Sequence, residues 1–473
     1  MAEVRGPGIA AAALSLALAG CTMAPTYARP EAPIAEAYPA QTEGEADAAL
    51  LGWRDVFGDE RLQALIELAL ENNRDLRVAT LNVERLRALY RIQRAPLLPS
   101  VNATGSATFQ ELPEGVPGRD EQYAATLNVT AWELDFFGRI RSLADAALER
   151  YFATAEARRS AHLSLVSQVA IAHFTERALA EQLELARGTL ELVEESFAIT
   201  RRAFELGTAS ELDLRTSESQ VETARFNVAL YEQRHAQAVN ALVFLVGAPL
   251  PADLPGSVAL ADAKVLIDLP AGLPSDLLQR RPDILAAEHE LMAANASIGA
   301  ARAAFFPSIS LTGVAGFGSA ELGELFGGDG FTWLFSPRID VPIFQGGALR
   351  ASLDAAEISK AIEVARYQRA IQAAFREVSD ALVGQRALAD QLDAQEARVA
   401  ANERRYDLAN RRYRAGIDSY VTLLTAQQDL YRSQELLIDA RFNRLANVAN
   451  LYRALGGGWK ETAEETPVAP EAG

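Results

Sequence analysis

Arg94-Ala95-Pro96-Leu97-Leu98-Pro99-Ser100 is followed by Thr104-Gly105, and Arg302-Ala303-Ala304-Phe305-Phe306-Pro307-Ser308 is followed by Thr312-Gly313. Arg, Ala, Pro-Ser and Thr-Gly recur at a constant offset of 208 residues. Asp75-Leu76 and Asp283-Ile284 keep that offset, and so do Gly138 and Gly346. Further on, Phe204-x-x-Gly207-x-x-Ser210 matches Tyr413-x-x-Gly416-x-x-Ser419 at an offset of 209. A single slip over so long a span marks a tandem duplication. The period is far longer than the roughly 20–50 residues of solenoid repeats.

Each copy reads helix, strand, strand, very long helix, returning helix. Asp59 caps a helix that the pattern carries to about Ala95, where Pro96 and Pro99 stop it. Strands are expected near Pro99–Leu112 and Gln122–Phe137, turned by Pro113, Gly115, Pro117 and Gly118. In the second copy they are expected near Pro307–Ala320 and Phe331–Gln345. From Arg139 to Leu206 there is no proline and one glycine, Gly188. That stretch is roughly 100 Å of helix at about 1.5 Å per residue. Gly347 to Arg414 repeats it with only Gly384 inside, and Gly207 and Gly416 break the two helices. Leu183, Leu190, Phe197 and Phe204 are spaced by seven, as are Leu392, Val399, Tyr406 and Tyr413. On the last helix Leu424, Tyr431, Ile438, Leu445 and Tyr452 do the same. Such stripes predict antiparallel coiled-coil hairpins.

The strands alternate. Tyr123, Ala125, Leu127 and Val129 are apolar, while Gln122, Thr126, Asn128 and Thr130 are polar. Phe331, Trp333, Phe335, Ile339 and Val341 alternate with Thr332, Ser336, Arg338 and Asp340. Segments of about 10 residues with this dyad fit outer-membrane strands, apolar toward lipid and polar toward a lumen. A soluble sheet with one wet face would read the same way. Four strands cannot close around a polar lumen, and open edges are not tolerated in lipid. The expectation is a barrel shared between copies, twelve strands from three chains.

The 473 residues carry a net charge of −18, which argues against a nucleic-acid partner because phosphate binding needs a basic surface. The one cysteine, Cys21, closes an apolar stretch from Ile9 that ends Leu18-Ala19-Gly20-Cys21. This reads as a signal peptide over residues 1–20 with a lipobox. Acyl chains on Cys21 would anchor the mature chain, and this covalent lipid is the only bound group expected, with no cofactor and no metal. Beyond it we expect a tether over 21–58, a first repeat over 59–247, a Pro-rich connection over 248–274, a second repeat over 275–458 and an acidic tail over 459–473. Neither the four histidines, His162, His173, His235 and His289, nor any Gly-rich or nucleophile motif has catalytic or metal-ligand spacing, so the chain does not read as an enzyme.

The duplicated Pro-Ser strand starts (Pro99-Ser100, Pro307-Ser308), the stretch Val341-Pro342-Ile343-Phe344-x-Gly346-Gly347 and the text Tyr413-Arg414-Ala415-Gly416-Ile417-Asp418-Ser419-Tyr420-Val421-Thr422-Leu423-Leu424-x-Ala426-Gln427 resemble the TolC-like outer-membrane efflux factors, in their lipidated NodT/OprM-type branch. The resemblance covers about residues 50–458. It implies a mixed α/β homotrimer, with a twelve-stranded β-barrel in the outer membrane joined to a periplasmic α-helical barrel. It implies a periplasmic adaptor (membrane-fusion protein) and an inner-membrane RND transporter as partners, and passive export as the function. An exit duct for type I protein secretion would share the fold. A lipid-anchored coiled-coil scaffold without a pore is the reading from another class.

The same resemblance places a periplasmic gate at Leu206–Leu214 and Tyr413–Thr425. It suggests a Tyr413–Asp213 hydrogen bond that holds the closed state. Where many members carry a carboxylate this chain has Thr425, which implies a neutral ring with Val421 as an apolar constriction. Asp418 is expected to restore some charge near the tip, and the overall −18 to make the duct electronegative.

Overall fold

The structure is a computed structural model that describes residues 22–35, 37–38, 51–110, 121–267, 269, 278, 280–327 and 330–457. The signal peptide, Cys21, most of the tether beyond residue 38, the loop with Pro113 to Gly118, part of the Pro-rich connection and the acidic tail lie outside the described residues.

The elements run α1 (Glu60–Asn72), α2 (Arg74–Arg94), β1 (Asn102–Phe109), β2 (Glu121–Leu134), α3 (Arg139–Glu205) and α4 (Glu211–Val246) in the first copy. The second copy gives α5 (Pro282–Ala303), β3 (Ser308–Ser319), β4 (Phe331–Asp340), α6 (Ala348–Arg414) and α7 (Tyr420–Ala454). The two very long helices are unbroken, each 67 residues. The expected first helix divides. Asn73 is extended, its Oδ1 accepts the Leu76 N–H at 2.9 Å and so starts α2, and its Nδ2 donates to the Leu245 carbonyl. β4 ends at Asp340, short of Gln345, because Pro342 lacks an N–H and Gly346 and Gly347 take positive φ. Pro99 and Pro307 lie just ahead of β1 and β3, and Gly138 and Gly346 just ahead of α3 and α6.

The chain forms two compact units. One gathers the segment ending at Ala32, Leu81–Ala155 and Ala286–Arg369, and it contains the sheet. The sheet is antiparallel in the order β1-β2-β3-β4. Its register puts Ala103 opposite Leu127, Leu127 opposite Ala315 and Ala315 opposite Trp333, so apolar odd positions share one face. Asn128 and Thr104 share the other face, where Asn128 Nδ2 donates to Thr104 Oγ1 at 2.9 Å. The pairing shifts between Val129 and Trp132, and Ala131 there has φ of 49°. This bulge moves Trp132 and Leu134, at even positions, onto the apolar face opposite Leu311 and Ile309. It is where the alternation of the sequence changes parity. Below the sheet, small residues let helices approach closely: Ala146 on α3 packs with Ala293 and Ala296 on α5.

Residues 22–35 carry no helix or strand, as a tether would, but side chains of α5 hold them.

The other unit gathers Pro33–Thr80, Glu156–Leu285 and the chain from Ala370. Trp53, Phe57, Leu62, Leu65, Ile66, Leu242, Val246 and Tyr452 are buried there. Asp59 caps α1 by accepting the Leu62 N–H at 2.8 Å. The Pro-rich connection returns to this core, with Gly58 N–H bonded to the Lys264 carbonyl and Leu266 N–H to Val56. Two antiparallel hairpins complete the unit. In the first, Leu183, Ala186 and Val193 of α3 pack with Val221, Ala224 and Tyr231 of α4. In the second, Tyr406, Ala409 and Tyr413 of α6 pack with Leu423 and Ala426 of α7. The expected seam residues Leu424 and Tyr431 face a cleft lined by Val193, Gln220, Ala224 and Asn227 of the first hairpin. They serve the contact between hairpins rather than the seam within one. Among the described residues no helix is long and apolar enough to cross a membrane.

Candidate gate at the hairpin turns

Both long helices end in the same way. Gly207 and Gly416 adopt φ of 74° and 72°. Gly207 N–H bonds the Phe204 carbonyl and Thr208 N–H the Ala203 carbonyl, each at 2.9 Å. Gly416 N–H bonds Tyr413 and Ile417 N–H bonds Arg412, again at 2.9 Å. These close the orphan carbonyls of the helix end through a left-handed residue, which glycine adopts without penalty. Ser210 and Ser419 then stand at the N-caps of α4 and α7.

The side chains that lock the turns differ. In the first turn Ser210 Oγ accepts the Asp213 N–H at 3.1 Å, and the Asp213 carboxylate accepts the Ser210 N–H at 3.2 Å. This is a capping box. In the second turn Ser419 makes no such bond, and its hydroxyl lies 3.3 Å from that of Thr422. An ion pair does the locking instead: Arg412 meets Asp418 through Nε–Oδ2 at 2.7 Å and Nη2–Oδ1 at 2.9 Å. That contact lowers the Asp418 pKa.

The expected bond between Tyr413 and Asp213 is not formed within the chain. Asp213 is taken up by its own cap, and the Tyr413 ring packs at 5.7 Å from the ring of Tyr420. Tyr420 is buried, and burial raises its phenol above the ordinary value, with the Ser196 hydroxyl opposing and the Asp213 charge adding. Tyr420 lies in the Gly416 text but stands opposite Glu211 in the first copy, so the repeat itself gives no reason to single it out. Asp418 likewise adds no free charge at the tip, because Arg412 neutralises it. The second turn is locally basic, with Arg411, Arg412 and Arg414 against one acid, which the overall charge conceals. Val421 is 58% exposed. Thr425 Oγ1 donates back to the Val421 carbonyl at 2.9 Å, as Thr216 does to Leu212 at 2.7 Å. The Thr425 position is therefore neutral and matched in both copies.

The sequence model of the family described as outer membrane efflux protein matches the chain twice, over residues 65–248 and 273–457. The toluene efflux pump outer membrane protein TtgC of Pseudomonas putida is 51% identical over 455 residues, covering 94% of each chain. The antibiotic efflux pump outer membrane protein ArpC of the same species matches to the same extent. The crystal structure of the open state of the MtrE outer membrane channel of Neisseria gonorrhoeae superimposes with a TM-score of 0.88 at 40% identity, covering 94% of this chain and all of that one.

The chain belongs to the outer membrane efflux protein family. Its place is the outer membrane and its work is efflux, in a family of channels rather than of catalysts. As an outer membrane efflux protein it needs its two hairpins held in register, and polar side chains do this along their contact. Gln428 Nε2 on α7 donates to Gln220 Oε1 on α4 at 3.1 Å. Farther from the turns Tyr231 Oη on α4 donates to Glu435 Oε1 on α7 at 2.6 Å, and Gln182 Nε2 on α3 to Asp439 Oδ1 at 2.9 Å. Burial raises both the Tyr231 phenol and the Asp439 carboxyl. Among the described residues no group of three or more His, Cys, Asp or Glu could hold a metal ion.

Proposed function

We propose that three copies of this chain form the outer-membrane exit duct of a tripartite pump, passively conducting small molecules delivered by a periplasmic adaptor and an inner-membrane RND transporter. The observation that carries this reading is the sheet. Every residue of β1 and β4 is exposed, one face is apolar along all four strands, and both edges are open. Open edges do not survive in hydrocarbon. An even number of strands leaves β1 and β4 antiparallel to each other, so copies join edge to edge in antiparallel pairs. Three copies give a closed barrel of twelve, an even count within the range of such barrels. Strands of 8 to 14 residues bracket the roughly 9–11 that a tilted crossing needs.

The chain supplies no catalytic step in this reading, and a lipid on Cys21 adds an anchor rather than a cofactor. The names of the relatives, toluene and antibiotic pumps, and a turn without a free carboxylate ring favour organic solutes over metal cations as the cargo. Purified protein in a planar bilayer tests the duct. A trimer that conducts once Asp418 is replaced by Asn supports the reading, and a trimer that never conducts overturns it in favour of a scaffold. Deletion of the gene tests the cargo: sensitivity to solvents and antibiotics is expected to rise more than sensitivity to copper or silver.

A further inference from the structure

The described chain begins with a strap. Ala24 to Arg29 lie along one face of α5, in the unit that holds the sheet. Alternate residues of the strap make the contacts, as an extended chain requires. The Pro25 carbonyl accepts from Asn295 Nδ2 at 2.7 Å. Tyr27 Oη donates to Glu288 Oε1 at 2.9 Å. Arg29 grips the same carboxylate with Nε at 2.7 Å and Nη2 at 2.8 Å. Thr26 and Ala28, between them, are exposed.

Three features mark this as a built site rather than a chance contact. The Glu288 side chain is only 3% exposed, and a buried carboxylate without partners would be strongly disfavoured. Here one segment supplies both a phenol and a bidentate guanidinium. Second, Gly299 admits the backbone: a Cβ there would stand 2.7 Å from Ala24 N and 2.7 Å from Ser142 Oγ on α3. Third, the lengths agree. Glu288 to Gly299 is about 16 Å of helix, and Ala24 to Arg29 can reach at most about 17 Å, enough to run beside it. The strap runs antiparallel to α5, and its first residues reach the end from which β3 starts.

We infer that Glu288, Asn295 and Gly299 form a receptor groove for the chain's own N-terminal segment, and that occupancy of this groove, not linker length, fixes where an anchor on Cys21 is attached. The chain from Cys21 to Ala24 can reach at most about 10 Å. The attachment point is thereby tied to the C-terminal end of α5 at the base of the sheet. The second clause rests on the proposed lipidation, whereas docking of the strap does not.

A spin label on Thr26→Cys in the full mature protein tests it. Acylated Cys21 has no free thiol, so one label per chain is expected; two labels would mean that Cys21 is unmodified, which overturns the anchor clause and leaves the groove to be judged by the spectrum. In the otherwise wild-type protein the spectrum should be slow and immobilised. Glu288→Ala or Gly299→Val should convert most of it to the fast component, with helix content unchanged. If those variants do not fold, the pair Tyr27→Phe and Arg29→Ala alters only the strap and should give the same conversion. A fast spectrum in the unsubstituted strap, or a slow one that survives loss of its partners, overturns the groove. Conductance should persist when the strap is released, so failure here is distinct from failure of the exit-duct reading.

Discussion

Arg412 grips Asp418 with two hydrogen bonds across the second hairpin turn, and the first turn has Ala203 and Ala209 at the matching places. The turns therefore share a backbone and differ in their lock. The capping box of Ser210 and Asp213 lies within one helix start and leaves the preceding helix free. The Arg412–Asp418 pair ties the end of α6 to the start of α7. The second hairpin is the one whose tip is clamped.

Removing that clamp should loosen the tip without unfolding the hairpin. Asp418→Asn keeps shape and loses the ion pair, so open probability in a planar bilayer should rise. The pair is exposed, and high salt should move the wild-type channel in the same direction. The Asp418 pKa is depressed, so the pair is complete above the ordinary carboxylate value of about 4 and is lost only as pH falls below it. Gating that is unchanged in Asp418→Asn at low salt would remove the clamp from the mechanism.

The bulge at Ala131 makes a sharper demand on the sheet. Ala131 holds φ of 49°, its N–H donates to Thr312 Oγ1 at 3.1 Å, and it returns Trp132 and Leu134 to the apolar face. Deleting Ala131 would remove the extra residue, set Thr130 alone opposite Thr312 and leave Trp132 and Leu134 on the apolar face opposite Leu311 and Ile309. We expect that deletion to preserve heat-resistant trimers and membrane insertion; loss of both, with the periplasmic helices still folded by circular dichroism, would show that the bulge bends the strand as closure requires and does more than correct parity. Ala131→Gly should be tolerated, since glycine adopts positive φ without the penalty of roughly 1–2 kcal/mol for an L-residue.

Much of this architecture was legible because each device repeats. Gly207 and Gly416, Pro99 and Pro307, and the paired long helices stand twice in the text, and the structure puts each where the pattern did. What escaped were the unshared details. The break at Asn73 looks like any polar helix residue until its side chain is seen to bridge Leu76 and Leu245. Leu424 and Tyr431 keep a seven-residue spacing, yet they face the neighbouring hairpin, and periodicity gives a face but not its partner. Tyr413 and Asp213 were plausible partners by position. Local bonds, a cap three residues away for Asp213 and an aromatic seven residues on for Tyr413, claimed both first.

Between the hairpins, Tyr231 and Glu435 carry the shortest contact of the polar layer, 2.6 Å. A hydrogen bond to a charged group contributes about 1.5–3 kcal/mol. Tyr231→Phe should therefore weaken the hold of the first hairpin on α7 by that order. A double-mutant cycle with Glu435→Gln, read as denaturant stability of the trimer, should give a coupling of about 1 kcal/mol or more. Tyr231→Phe combined with Asp418→Asn should open the channel more than either alone, because one contact restrains the start of α7 and the other its middle. Strict additivity of Tyr231→Phe and Glu435→Gln would show that the carboxylate charge adds nothing to the bond, since the glutamine oxygen still accepts.

His173 predicts how the protein responds to acid. It is 2% exposed on α3, and burial lowers its pKa to about 4, with Asp59 and Glu176 opposing that and Arg61 and Arg177 adding to it. Glu176 is also bonded to His235 at 2.9 Å. Since the folded chain binds a proton here less readily than the unfolded chain, stability is full above the ordinary histidine value of about 6.5 and falls as pH drops toward 4. The difference corresponds to about 3 kcal/mol lost across that window. The buried Nδ1 of His173 has no hydrogen-bond partner, so the neutral ring gains little that a nonpolar side chain would forfeit. His173→Leu should keep the fold at neutral pH and flatten the acid limb of the melting-temperature profile. An acid limb of unchanged depth in His173→Leu would assign the loss to other groups.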